Sequence, residues 1–162
     1  MIMLNKNLFL IFGIVLLSAA CQPEKQNSID WKPIEMSMPA GDKKILVLSL
    51  NDSLVNGMIN AAPDTTILDL FHFLDLNADG KTDVVFNGFA GAADEFLMIF
   101  LQQTSGWQKA VHQYGHLQKV HTGPDALLEI YRKEAVGENG GDSLLTYSFI
   151  DSAFVRTNAV PK

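Results

Sequence analysis

Residues 71–88 read FHFLDLNADGKTDVVFNG, and this stretch decides the fold. Counted from Asp75 as position 1, it carries Asp75, Asn77, Asp79 and Asp83 at positions 1, 3, 5 and 9, with Gly80 at position 6. Side-chain oxygens at every second residue of a tight loop can wrap one hard cation such as Ca²⁺, which takes six to eight oxygen ligands. The flanks are aromatic and β-branched, residue types that suit a pleated, half-buried surface. The stretch therefore predicts strand, acidic loop, strand.

Two uses of such a loop are excluded by its twelfth residue and its flanks. An EF-hand needs a bidentate Glu at position 12 and a helix on each side. Here position 12 is Phe86, between β-formers on both flanks, and the dockerin pattern fails at the same residue. A loop whose last carboxylate is at position 9, followed by an apolar strand, resembles the FG-GAP and VCBS repeats, whose core reads D-x-N-x-D-G-x-x-D. The small residues around Phe89-Ala90-Gly91, the apolar run 95–101 and Gly106-Trp107 resemble the later parts of that family's pattern. The resemblance covers roughly a quarter of the chain. It implies a Ca²⁺ site in which Asp75, Asn77, Asp79 and Asp83 give side-chain oxygens and Lys81 its backbone carbonyl. Gly80 would take the left-handed turn that folds the chain back on the ion. An Asp/Asn/Gly hairpin that binds nothing and caps its own backbone amides is the other reading. The motif has no second copy, so the repeats of a full propeller are not present.

Outward from the loop, the apolar run 95–101 (EFLMIFL) has no polar face, which predicts a central strand covered on both sides. Residues 66–74, 82–86, 107–114, 117–121, 127–133, 143–150 and 153–157 read as further strands, and 44–50 (KILVLSL) as a short one before them. Residues 54–62 are ambiguous between one helical turn and a loop. Gly88 and Gly91 break the strand after the loop, and the Gly-rich 136–142 reads as a hairpin loop. Turn signals recur at the spacing of an all-β domain, without an amphipathic helix of three turns. The expected fold is a small antiparallel meander or sandwich.

The beginning of the chain has a different character. Residues 1–20 read as an export signal: Lys6, the apolar 8–17, then Ser18-Ala19-Ala20. The apolar run is shorter than the roughly 20 residues a spanning helix needs. Cys21, the single cysteine of the chain, follows directly. This arrangement resembles the lipobox of bacterial lipoproteins, which implies acylation of Cys21 and a lipid-anchored protein of the cell envelope, at the outer membrane or cell surface or on the periplasmic side. Ser18 stands where that pattern prefers Leu. Cleavage near Ala20 with a free thiol is the alternative. Residues 21–42, with three prolines and Gly41, read as an acylated tether, with Trp31 and Ile34 as its docking points, and 43–162 as the β domain.

All 18 acidic residues follow Cys21, while Lys6 is one of the 12 basic ones; the chain after residue 20 thus has 11 basic residues and a net charge of −7. That excludes nucleic acid and electrostatic adsorption to anionic lipid. With a lone cysteine no internal disulfide forms, and a core must hold the fold; a domain near 150 residues buries about 68–70% of its unfolded surface. Weaker constellations are His72, His112, His116 and His121 as a transition-metal set, Asp94-Glu95 with Glu129 as hydrolytic carboxylates, and Phe89, Trp107 and Tyr114 as an aromatic patch. No G-x-S-x-G elbow or phosphate loop is present. The function expected is a non-catalytic, Ca²⁺-stabilised binding module of the envelope, with an envelope protein or glycan as partner. A small envelope hydrolase of glycan or peptide, or a surface inhibitor of a lytic enzyme, are the alternatives.

Overall fold

The computed structural model describes residues 29–61, 65–89, 95–132 and 143–161. The export signal, Cys21, Gly91, Asp94 and the 136–142 loop lie outside the described residues. The fold is all-β in its framework: two four-stranded antiparallel meanders with two short helices. The first sheet runs β1 (Phe71–Leu74), β2 (Asp83–Phe89), β3 (Glu95–Gln103), β4 (Gly106–Tyr114). The second runs β5 (His116–His121), β6 (Leu127–Arg132), β7 (Ser143–Ile150), β8 (Ala153–Pro161). Within each sheet, every strand pairs with the next in sequence.

Sheet one is the middle layer. One of its faces, with Val85, Leu97, Ile99, Leu101 and Val111, packs on Leu117, Leu128, Ile130, Leu145 and Phe154 of sheet two. The opposite face, with Phe71, Phe73, Val84, Phe86, Met98 and Phe100, packs on Val47, Leu50, Val55 and Ile59 of the helical layer. This is why six successive residues of β3, from Phe96 to Leu101, are all buried. A strand with two dry faces loses the alternation that a half-solvated strand shows. The doubly covered strand expected at 95–101 is in place.

The helical layer corrects the expectation for 44–50. Residues 44–49 belong to α1 (Ala40–Ser49), with Leu50 as its C-cap, and not to a strand. The run has no decisive period on its own, and short apolar runs do not separate helix from strand. What selects the helix is the sheet beneath it: Leu46, Val47 and Leu50 turn inward at helical spacing, while Ile45 and Leu48 stay exposed. Asp42 in the first turn complements the helix dipole. Residues 53–61 form α2 (Ser53–Ala61). Asp52 caps it, its Oδ1 accepting from the N–H groups of Leu54 at 3.0 Å and Val55 at 3.2 Å. Residues 66–70, expected as strand, lie in a 3₁₀ turn (Thr65–Leu70), and only 71–74 extend.

Gly88 does not break β2, which continues to Phe89. A Cβ at Gly88 would lie 2.9 Å from Leu70 Cδ1, so the glycine lets the 3₁₀ turn close onto the strand. Within the stretch expected as tether, residues 29–38 cross the edge strand β1. Ile29, Trp31 and Ile34 pack on the inter-sheet core and Met38 on the helix-side core. Met36 N–H donates to Phe73 C=O at 2.7 Å. This strap covers an edge that would otherwise offer unpaired backbone groups.

Candidate metal loop

The acidic loop joins β1 to β2 at one end of the first sheet. Leu74 pairs with Asp83 across the ladder, so the two strands bring positions 1 and 9 of the loop together. Between them the chain turns back through Ala78 (φ 58°) and Gly80 (φ 80°). The left-handed region disfavours a Cβ, which is why position 6 is glycine. Leu76 points inward and is fully buried, and its carbonyl accepts from Gly123 N–H at 2.9 Å. That contact ties the loop to the turn between β5 and β6.

The polar side chains of the loop divide into two groups. Asp75 Oδ1 accepts from Asp79 N–H at 3.0 Å and its Oδ2 from Gly80 N–H at 2.9 Å. Asn77 Oδ1 accepts from Asp79 N–H at 3.2 Å, and Asp79 Oδ1 from Lys81 N–H at 2.9 Å. Lys81 Nζ stands 3.0 Å from Asp79 Oδ2. Burial raises the Asp79 carboxyl, but the Lys81 N–H and ammonium, with Asn77, together outweigh it and hold the group below the usual range.

Asp83 is the second group. It is fully buried, with Oδ2 accepting from Leu76 N–H at 3.0 Å and Oδ1 from Gln102 N–H at 2.9 Å. Gln102 returns the contact: its Oε1 accepts from Thr82 N–H at 3.2 Å. Burial pushes the Asp83 carboxyl up to about 6; the two N–H donors oppose this, and the charges of Asp79 and Asp75 add to it. A buried carboxylate with two more behind it is an electrostatic load at neutral pH.

The donor set matches a hard cation: three carboxylates, one amide oxygen and the Lys81 carbonyl within nine residues. An ionised carboxylate has about four acceptor positions, so a bond to one amide does not use it up. In the arrangement described, however, these groups are turned to backbone amides and to Lys81. Among the described residues no three His, Cys, Asp or Glu side chains come together as a ready-made cluster. A cation in this loop would therefore require its acidic side chains to converge, with the Lys81 ammonium competing for Asp79. The contacts of Gln102, on β3, and of the Lys81 ammonium with this loop are not revealed by its spacing. Neither belongs to the 1-3-5-9 set of side chains.

The weaker constellations are dispersed. His72 stacks on Trp31, His112 meets the ring of Phe96 edge-on, and His116 Nδ1 lies 2.7 Å from Glu95 Oε2. His121 is exposed at the end of β5. Glu129 is paired with Lys119 at 3.0 Å. Glu95 and Glu129 thus each face a cation or imidazole, and Asp94 lies outside the described residues. Trp107 packs against the helical layer, donating from Nε1 to Ser49 Oγ at 3.0 Å, while Tyr114 is exposed. They do not form one patch.

No helix among the described residues is long and apolar enough to cross a membrane. No protein-family model, no curated protein and no solved structure matches the chain.

Proposed function

We propose that this protein is a lipid-anchored module of the bacterial cell envelope, without catalytic activity, whose β domain is stapled by Ca²⁺ in the 75–83 loop and offers a binding surface to an envelope protein or glycan. The observation that carries the reading is Asp83. Its carboxylate is buried at the junction of β1, β2 and β3 and feels the charges of Asp79 and Asp75 in the same loop, whose donor types suit a hard cation. A cation held there by Asp75, Asn77, Asp79, Asp83 and the Lys81 carbonyl would neutralise this charge and lock the loop to both strands. Ca²⁺ supplies no chemistry in this reading, only charge and coordination. With one cysteine, the chain has no internal disulfide to serve as a staple instead. Extracellular-type Ca²⁺ modules have dissociation constants near 10⁻⁴–10⁻³ M, so millimolar Ca²⁺ adds roughly 0.4–1.4 kcal/mol. The anchor rests on Cys21 and the small residues before it.

Two experiments test the two halves separately. Thermal melts of the full chain should rise with millimolar Ca²⁺ relative to chelator, and Asp79→Ala should abolish the rise. Equal melts in both conditions would remove the staple. Cys21→Ser should shift the protein from the membrane fraction to the soluble one, and a mutant that still incorporates labelled lipid would remove the anchor.

A further inference from the structure

We propose that the strap, residues 29–38, is a latch whose grip on the edge strand β1 is released when His72 is protonated. Besides the apolar packing of Ile29, Trp31, Ile34 and Met38, three contacts of the strap lie at or beside this residue. The Trp31 ring lies flat on the His72 imidazole, centroids 3.7 Å apart and planes 6° from parallel. Glu35 Oε2 stands 3.7 Å from His72 Nδ1. One residue further, Met36 N–H donates to the carbonyl of Phe73, the residue after His72.

The site accepts a neutral imidazole and has poor provision for a charged one. His72 Nδ1 is buried and has no hydrogen-bond partner among the described residues. The Glu35 oxygen at 3.7 Å is too distant for a hydrogen bond. Glu35 is also shared: its Oε1 faces Lys43 Nζ of α1 at 3.4 Å. On the other side of β1 the residue opposite His72 is Val85, which offers no charge. A proton added at Nδ1 thus meets a buried environment, a carboxylate within ion-pair distance but beyond hydrogen-bond range, and an ammonium that competes for that carboxylate. Burial holds the His72 imidazole below its ordinary value; Glu35 works against this and Lys43 with it. The Trp31 face favours an imidazolium, and the latch requires that burial of the unpartnered Nδ1 outweigh it.

The sign follows from linkage. With the strap docked, His72 binds its proton less readily than with the strap released and the imidazole in water. Docking is therefore fully supported above about pH 6.5 and weakens as pH falls through the docked value. His72 is three residues from Asp75, outside the acidic loop, so the latch is separate from the cation reading. Its consequence is reach. Ten released residues extend by up to about 36 Å, which would change how far the domain stands from an anchor at Cys21.

Hydrogen exchange on the full chain tests this directly. The protection of the Met36 amide, corrected for intrinsic rates, should fall severalfold from about pH 7.5 to 5.0, by no more than about thirtyfold given an unperturbed 6.5. Amides of β3 should keep theirs. His72→Phe retains a ring against Trp31 without a titrating group and should make Met36 protection independent of pH. Constant protection in the natural protein, an equal loss in β3, or an unchanged fall in His72→Phe would each overturn the latch. If His72→Phe does not fold, NMR titration of His72 in the natural protein decides: a midpoint below about 6.5 supports the latch and one at or above it overturns the proposal.

Discussion

Asp83→Asn, measured in chelator across pH, isolates the electrostatic load at the centre of the acidic loop. The Asp83 carboxyl titrates near 6 in the folded protein against an ordinary 3.8, because it is buried between Leu76 and Gln102 with Asp79 and Asp75 close by. Below pH 3.8 the group is protonated in both the folded and the unfolded chain, and it imposes no penalty. Between pH 3.8 and about 6 the unfolded chain loses its proton first, so stability falls as pH rises. The full step is worth about 3 kcal/mol. The asparagine variant carries no such pH-dependent penalty, although it turns an amide N–H₂ towards one of the two backbone donors and so has a constant penalty of about 1–3 kcal/mol. Urea unfolding of both proteins in chelator, at unit steps from about pH 4 to pH 7, gives the difference between them. That difference should move in the variant's favour by about 2–3 kcal/mol over this range, most of it below about pH 6. A difference that stays flat would show that Asp83 is not a buried, destabilised carboxylate, and a cation in the loop would have no buried charge to neutralise.

Asp52 predicts the opposite pH response. Burial raises its carboxyl, but the Lys109 contact and the α2 amides outweigh this and hold it below the ordinary value. Its stabilisation is present above pH 3.8 and is lost as pH falls through the folded value. Asp52→Ala should cost about 0.5–2 kcal/mol at neutral pH through the lost cap, and less at about pH 3, as read by urea unfolding. Leu97→Ala, at a fully buried position of β3 on the face that packs against sheet two, should cost about 2–5 kcal/mol in the same assay. A cost under about 1 kcal/mol would contradict the packing of β3 against sheet two.

The strand framework was legible because each strand is bounded by turn residues and sheet pairing follows chain order. The uniform burial of 96–101 was legible for the same physical reason that it exists: a middle layer needs apolar residues on both sides. What the chain does not announce is the layer that covers the far face. The run 44–50 has the β-rich composition of a strand, and only the apolar face of sheet one, with Phe71, Phe86 and Phe100 standing in it, turns the run into α1. The strap was hidden behind its prolines. Pro33 and Pro39 suggest a spacer, and only its docking points, Trp31 and Ile34, were readable; both pack on the inter-sheet core.

In the acidic loop, the spacing of Asp75, Asn77, Asp79 and Asp83 and the turn at Gly80 were readable. The inward set of Asp83 was not. It depends on Gln102, nineteen residues away on β3, whose backbone and side chain close the junction. Contacts of that separation carry no local pattern. The lysine at position 7 of the loop is likewise a surface residue in the sequence and an internal counter-ion to Asp79 in the fold.

The central claim is that residues 75–83 hold one Ca²⁺. Isothermal titration of the full chain with Ca²⁺ at neutral pH is the direct measurement. It should give one ion per chain with a dissociation constant in the range of about 10⁻⁴–10⁻³ M, and no binding in Asp75→Ala. Absence of binding at Ca²⁺ concentrations well above that range, or binding that survives Asp75→Ala, would contradict it.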